Sequence, residues 1–494
     1  MARFSRKALA FGAATLALGG CMTAGDAKIP SSATPITPAE AKQGAEYHPQ
    51  LLAEFGGAMS GTHAAYVEQV GKNIAVQSGL GNARESFTVS LLNSPVNNAF
   101  AIPGGYIYTT RQLVTLMNSE AELAAVLGHE VGHVAARHSQ RRQQAATKNT
   151  LLGIGGAILS GLLLGDSGLG QTLSRGFLQG SQLLTLRFSR KQELEADGLG
   201  IEYLGRAGYD RRAMGTVLAS LAAQNALDAR LSGQNASVPE WASTHPDPAS
   251  RVQNALARAG TAPAASASVS NRETFLTRID GLRYGDDPAQ GVIEGSTFIH
   301  PVLRLAFTAP AGFYMVNGTR AVSIQGQAGK AQMTTAAYNG NLESYVRAAF
   351  TAAGGQNANL APQTIERTTI NGLPAAIGTA RVNNGNSQVD LVVVAYEFAR
   401  DSAFHFITIA PAGRAGTFNA MYQSMRRISA AEAGAVVPRK LQVVTVARGD
   451  TVASLARRMA YDSAQEERFR VLNALSGTAT VTPGQKVKLV VRGV

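Results

Sequence analysis

The sequence predicts a multidomain α+β protein: a mainly helical first domain, then an α/β domain, then a small strand–helix–helix–strand module. Three observations lead there. The chain has 494 residues, more than one hydrophobic core accommodates, so about two to four domains are expected. From about residue 46 to 259 apolar residues recur with helical spacing, broken by one short extended stretch. Beyond the flexible run "GTAPAASASVSN" (260–271), "QVDLVVVAYEF" and "AFHFITIAP" are period-two or wholly apolar, and "NLESYVRAAFTAAG" ahead of them reads as a helix.

Composition agrees with folded domains. The chain is 45% hydrophobic and 16% charged, enough apolar surface to fill cores. Its formal net charge is +12, and subtracting Arg3, Arg6 and Lys7 of the first seven residues leaves +9. That excess suits anionic surroundings such as a lipid surface or a polyanionic envelope. No run of five or more like charges occurs, so nucleic acid is not expected as a partner.

The N-terminus, "MARFSRKALAFGAATLALGGC", is a basic start followed by an apolar run, Ala8 to Leu18, too short to span a bilayer. It closes on Cys21, the single cysteine of the chain, which therefore has no intramolecular disulfide partner. Residues 1–21 resemble a lipoprotein signal peptide with its lipobox, which implies acylation at Cys21 and anchoring in a lipid bilayer. Met22 stands where inner-membrane retention would call for aspartate. The resemblance thus implies a Gram-negative outer-membrane lipoprotein facing the periplasm. Residues 22–45, rich in Ala, Pro, Ser and Thr, are expected to be a flexible tether.

In the helical region, "LGHEVGHVAARH" (127–138) places His129 and His133 four residues apart with Glu130 beside them. Ser119 followed by Glu122 reads as a capping box, so one helix starts there and carries both histidines on one face. Imidazole nitrogens suit zinc, and a neighbouring carboxylate can take a proton from water activated by the metal. A hydrolytic zinc site needs a third protein ligand. His138, five residues past His133, would be rotated away from the ligand face of a continuous helix. "SRKQELEADGLGIEYLGRAGYD" offers carboxylates on a second helix. Glu193 and Asp197 are four apart, so one can bind the metal while the other bonds a histidine ligand's free N–H. Glu195, about 200° round from Glu193, would point away. The apolar, glycine-rich stretch at 151–165, continued to 186, fits a hairpin against lipid, a cover over the site, or a buried helix equally well.

These motifs resemble the M48 family of zinc metallopeptidases. "NAFAIPGGYIYTTRQLV", "GHEVGHVAARH", "SRKQELEADGLGIEYLGRAGYD" and "STHPDPASRV" follow one another in that family's order over about 45–260. The resemblance implies a zincin-type domain over 46–259 with one Zn2+ per chain. It implies His129, His133 and Glu193 as metal ligands, Glu130 as base and proton shuttle, and Asp197 as support. The strand around Pro103-Gly104-Gly105 would border the cleft and pair with an extended substrate backbone. His245 falls where the family carries a histidine near the metal, either stabilising the oxyanion or sitting on zinc as a temporary fourth ligand. Arg251 would hold that loop or meet a substrate carboxylate, and Trp241 would anchor the loop by packing.

After a linker (260–272), residues 273–432 faintly resemble PsbP/Mog1-type α/β domains. "VARGDTVASLARRM", "FRVLNAL" and "VTPGQKVKLVV" resemble a LysM module over 441–492, with Thr451 capping the first helix. LysM modules bind N-acetylglucosamine glycans, which implies peptidoglycan as a further partner; packing against the neighbouring domain is the alternative. The TPR repeats that end many members of the peptidase family are not found here. The expectation is a zinc endopeptidase that cleaves misfolded or misassembled envelope proteins. The rival is a non-catalytic envelope chaperone or peptidoglycan-associated scaffold.

Overall fold

The structure, a computed structural model, describes residues 35–80, 83–142, 188–231, 245, 248–261, 268–354, 360–384 and 387–493. The signal peptide with Cys21, most of the expected tether, the stretch 151–186 and Trp241 lie outside the described residues. Among the described residues no helix is long and apolar enough to cross a membrane. The molecule is α+β, with a helical N-terminal region and a sheet-rich C-terminal part.

Helix α1 (Pro38–Glu54) begins inside the segment expected to be tether. Thr37, Pro38 and Glu40 explain it. Thr37 accepts from the Glu40 N–H, the Glu40 carboxylate accepts from the Thr37 N–H, and proline occupies the first turn. A capping box outweighs the small, polar composition that read as a linker.

A three-stranded sheet follows, in the order β1 (Thr88–Leu92), β3 (Tyr106–Thr110), β2 (Ala99–Ile102). Strands β2 and β3 form a hairpin through Pro103-Gly104-Gly105, so β2 is an edge strand. Gly104 turns at φ +89°, and a Cβ there would lie 2.7 Å from the Glu40 carbonyl oxygen, so only glycine fits.

Helices α2 (Thr62–Ala75), α3 (Arg111–Leu116), α4 (Glu120–Ala135), α5 (Arg190–Arg206), α6 (Ala213–Leu231) and α7 (Pro248–Thr261) build the helical region. Nearly every residue of α4 is buried, which makes it the central helix. It packs closely on α5 through small residues. A Cβ on Gly132 would lie 3.1 Å from the Ala196 carbonyl oxygen, and one on Gly200 3.1 Å from the His129 nitrogen. Overfilling such a contact typically costs about 1–3 kcal/mol.

Helix α8 (Arg272–Ile279) buries Phe275, Leu276 and Ile279 in the helical core, although it follows the expected linker. Its apolar face was legible, but which core would receive it was not. The sheet-rich part therefore starts beyond it. Seven antiparallel strands run in the order β11 (Thr364–Ile370), β12 (Leu373–Asn384), β13 (Ser387–Ala399), β14 (Ser402–Pro411), β10 (Gly329–Thr335), β9 (Val322–Gly326), β8 (Tyr314–Asn317). Helix α9 (Leu342–Gly354) covers one face with Val346 and Phe350. The other face packs on helix α10 (Asn419–Ser424) and a four-stranded sheet of β15 (Arg426–Arg427), β7 (Leu305–Thr308), β6 (Thr297–His300) and β5 (Val292–Glu294). Being covered on both faces, β13 and β14 need apolar residues at successive positions, hence their unbroken apolar runs.

The last segment has the expected order: β16 (Arg439–Thr445), α11 (Val452–Ala456), α12 (Gln465–Leu472), β17 (Lys486–Arg492). Thr451 caps α11 in a capping box with Ser454. Strands β16 and β17 are antiparallel, and β4 (Arg283–Tyr284) adds to β16. This module does not stand apart, because Leu455, Phe469, Val487 and Leu489 belong to the same core as α2, α4 and α6. Its strongest tie is Lys488, fully buried, whose Nζ donates to the carbonyls of Thr115, Leu116 and Met117 at 2.8, 3.2 and 2.6 Å. These are the orphan acceptors at the C-terminus of α3, where a cation is favoured. Burial pushes the Lys488 ammonium well below the usual lysine range, partly offset by the Glu122 carboxylate.

Two outcomes follow from these buried groups. Lys488→Met leaves three carbonyls without their donor, so it should destabilise the chain by about 3 kcal/mol or more. Calorimetry should show a lower melting temperature, and limited proteolysis should release the C-terminal module. His405, on β14 with its Nδ1 3.0 Å from the Tyr345 hydroxyl, is held down to about 4 by burial. Its ordinary value is about 6.5. The unfolded chain therefore takes up a proton that the folded chain refuses, and stability falls as pH drops from 6.5 towards 4, by about 3 kcal/mol in all. Urea midpoints measured across that range should fall, and His405→Asn should flatten the slope.

Candidate metal centre

Ser119 caps α4 by accepting from the Glu122 N–H at 3.2 Å. The box is not reciprocal, because the Glu122 carboxylate accepts from the Asn118 N–H and the Thr216 hydroxyl instead. Glu122 is thus drawn inward beside Lys488, and the start of α4 is tied to both α6 and the C-terminal module. Helix α5 has a full capping box between Ser189 and Gln192. Because α4 is buried and α5 lies close against it, His129, Glu130, His133, Glu193 and Asp197 all come to the interior, none more than 4% exposed.

The ligand atoms converge. His129 Nε2 and His133 Nε2 are 3.0 Å apart, with Glu193 Oε2 3.5 Å from the first and Oε1 3.5 Å from the second. His245 adds Nδ1, 3.3 Å from His129 Nε2 and 3.1 Å from both Glu193 oxygens. All four groups offer a ligand atom within 4.8 Å of one another. A tetrahedral zinc with bonds of about 2.0–2.1 Å spaces its ligand atoms about 3.3 Å apart. The donor set, two or three imidazoles and one carboxylate, and its spacing therefore fit zinc. The Glu130 carboxylate lies alongside, its Oε1 3.6 Å from His245 Nε2. Both of its oxygens are buried without a hydrogen-bond partner. Such a group is costly unless it serves a donor that arrives with the ligand.

The surrounding charges set the protonation of these groups. Arg251, 1% exposed, donates to Asp197 through Nε at 2.8 Å and Nη2 at 2.5 Å, and to Glu193 through Nη1 at 2.6 Å. Its guanidinium is thus committed to the carboxylates of α5. Burial works against the Glu193 carboxylate, yet His245 and Arg251 hold it well below the usual carboxylate range. For Glu130 burial wins, and its carboxyl is pushed up. Asp197 Oδ1 lies 2.9 Å from His129 Nδ1. Burial alone would depress His129, but the bonds to Asp197 and Glu193 lift it to about 9. His245 also ties the site to the sheet, its Nε2 being 3.3 Å from the Ala99 carbonyl on edge strand β2.

His138 and Glu195, both read as lying off the ligand face, are not among the four converging groups, yet they pack directly behind them. His138 is buried, with Nδ1 2.8 Å from His133 Nδ1, and Glu195 Oε2 is 3.3 Å from His138 Nε2. The rotation expected of a continuous helix fails because α4 ends at Ala135, Arg137 adopts a left-handed φ of +50°, and helix resumes at His138. That break folds His138 back over His133. Arginine rarely marks a left-handed position, so helical periodicity carried no sign of it. Phe188 was also missed; its ring stacks on His133 with centroids 4.0 Å apart.

Comparison with known proteins agrees with this geometry. Residues 62–259 match the model of Peptidase family M48. The chain is 34% identical over 226 residues to the beta-barrel assembly-enhancing protease of Yersinia pestis, covering 45% of this chain and 44% of that protein. It is 38% identical over 161 residues to the mitochondrial metalloendopeptidase OMA1 of Arabidopsis thaliana, covering 33% of this chain and 29% of that one. It is 32% identical over 127 residues to the metalloprotease LoiP of Escherichia coli, covering 25% and 47%. The chain thus spans less than half the length of each of these relatives.

Asp197→Ala frees the Nδ1 side of His129 and leaves Arg251 short of a carboxylate. It should weaken Zn2+ binding by about 10–100-fold, read by competition with a chromophoric chelator. The motif order, the buried donor set and the match over 62–259 agree on one conclusion: that segment of the chain belongs to the M48 family of zinc metallopeptidases.

Proposed function

We propose that this chain is a zinc-dependent endopeptidase of the bacterial envelope, with His129, His133 and Glu193 holding the metal and Glu130 as base. The observation that carries the reading is the Glu130 carboxylate, buried without a hydrogen-bond partner beside four converging ligand atoms. Zinc, when bound, supplies a Lewis acid that brings deprotonation of water within reach of neutral pH.

Glu130 takes a proton from the attacking water, whose oxygen bonds to the scissile carbonyl carbon. It then gives that proton to the amine nitrogen as the C–N bond breaks. His245 has two positions to serve. With Nδ1 among the ligand atoms it closes the site; swung out, it can donate to the oxyanion of the tetrahedral intermediate. Its bond to the Ala99 carbonyl lies on edge strand β2, where an extended substrate backbone would pair. Asp197 and Arg251 keep His129 and Glu193 oriented throughout.

The name of the Yersinia relative, a beta-barrel assembly-enhancing protease, supports unfolded or misassembled envelope proteins as substrates. Acylation at Cys21 would hold the chain at the outer membrane on the periplasmic side, with the residues between Cys21 and α1 spacing the peptidase domain from the lipid. The LysM-like module (441–492) serves as a structural clamp through Lys488, and its α11 N-terminus remains exposed for a peptidoglycan strand.

The test uses the full chain in detergent. One zinc per chain is expected both in the unchanged protein and in Glu130→Gln. Casein cleavage should fall by about 10²–10⁴-fold in the variant. Absence of zinc from both would overturn the proposal and leave a non-catalytic scaffold. Zinc without cleavage in the unchanged chain predicts that His245→Ala opens the site to casein. If that variant is also inactive, the peptidase reading fails.

A further inference from the structure

A histidine metal ligand has a second ring nitrogen, and the bond made there decides which nitrogen carries the hydrogen. His129 makes that bond to Asp197. His133 makes it to another histidine, with 2.8 Å between His133 Nδ1 and His138 Nδ1. Two ring nitrogens at that distance share one hydrogen, so one donates and the other offers a lone pair. His133 Nε2 faces the cluster, 3.0 Å from His129 Nε2 and 3.5 Å from Glu193 Oε1. Its lone pair belongs on that side, so its hydrogen is on Nδ1. His133 therefore donates and His138 accepts, which leaves the His138 hydrogen on Nε2. That nitrogen is buried, and Glu195 Oε2 lies 3.3 Å from it, an ion-pair contact that is not aligned as a hydrogen bond.

The chain continues outward. Arg141 Nη1 donates to both Glu195 oxygens at 3.1 Å, and Gln192 Nε2 donates to the His138 carbonyl at 3.1 Å. Helix α5 thereby grips the turn that the left-handed Arg137 creates. Resting on the zinc reading above, we propose that His138 is a positioning residue that presents His133 to the metal through Nε2, with Glu195 and Arg141 holding His138 in turn. The two histidine ligands are then oriented by separate devices on opposite sides of the site, Asp197 with Arg251 for one and His138 with Glu195 for the other. A ring that only filled space at this buried position could be replaced by leucine without consequence for the metal.

The experiment compares full-length chains carrying His138→Leu, His138→Ala, His138→Asn and Glu195→Gln with the unchanged protein. Zn2+ affinity is read by chelator competition, and ligand geometry by the visible spectrum of the Co2+-loaded form. His138→Leu should weaken zinc binding by about 10–100-fold and shift the cobalt bands. His138→Asn, whose amide oxygen can accept from His133 Nδ1–H, should recover most of that loss. Glu195→Gln should lose less than His138→Leu, in the same direction. A leucine variant with unchanged affinity and an unchanged cobalt spectrum overturns the proposal. Should the leucine variant fail to fold, alanine and asparagine decide, and equal affinities in those two overturn it. An unchanged chain that binds no zinc sinks this proposal together with the metal site. A chain that binds zinc but ignores His138 loses this proposal alone.

Discussion

Everything in the metal centre depends on how closely α4 and α5 approach. Gly132 faces the Ala196 backbone and Gly200 faces the His129 nitrogen, so the two helices meet with almost no side chain between them. That closeness lets a glutamate on one helix reach imidazoles one turn apart on the other. Small residues make such contact possible, and a methyl added at Gly132 would press on the Ala196 backbone rather than on a flexible side chain. The same approach brings Asp197 to the far nitrogen of His129 and Glu195 to His138.

A closely packed interior makes charge expensive. Glu193 and Asp197 are buried together, and two neighbouring carboxylates in a low dielectric would repel one another and favour protonation. Arg251 resolves this by donating to both. Helix α7 carries that arginine, so its docking on α6 and α5 is part of building the site. Glu130 receives no such partner: both of its oxygens are buried without a hydrogen bond, while Glu193 is held by Arg251 and His245.

The support of α4 extends well beyond the helical region. Glu122 in its first turn is engaged by Asn118 and Thr216, while Lys488 of the C-terminal module holds the carbonyls at the end of α3 just upstream. The module shares its hydrophobic core with α2, α4 and α6. Of the two readings of that segment, a glycan-binding module or a partner packed on the neighbouring domain, the second describes how its core residues lie.

Much was legible in the chain itself. The His129–Glu130–His133 spacing, the paired carboxylates of 193 and 197, and the strand–helix–helix–strand order of the last segment rest on local periodicity, which the backbone enforces residue by residue. The capping box of Thr37 and Glu40 was equally local, and composition masked it. What the tertiary structure decided was where those local pieces meet. Core membership of α8, burial of Lys488 and the bridging by Arg251 join residues far apart in sequence, and no periodicity encodes such distances. The return of His138 to His133 turns on one left-handed residue, Arg137, whose side chain bonds Glu40 of α1 while Gln192 of α5 bonds the His138 carbonyl just beyond it. Pattern determined which residues could ligate a metal, and packing determined what holds them in place.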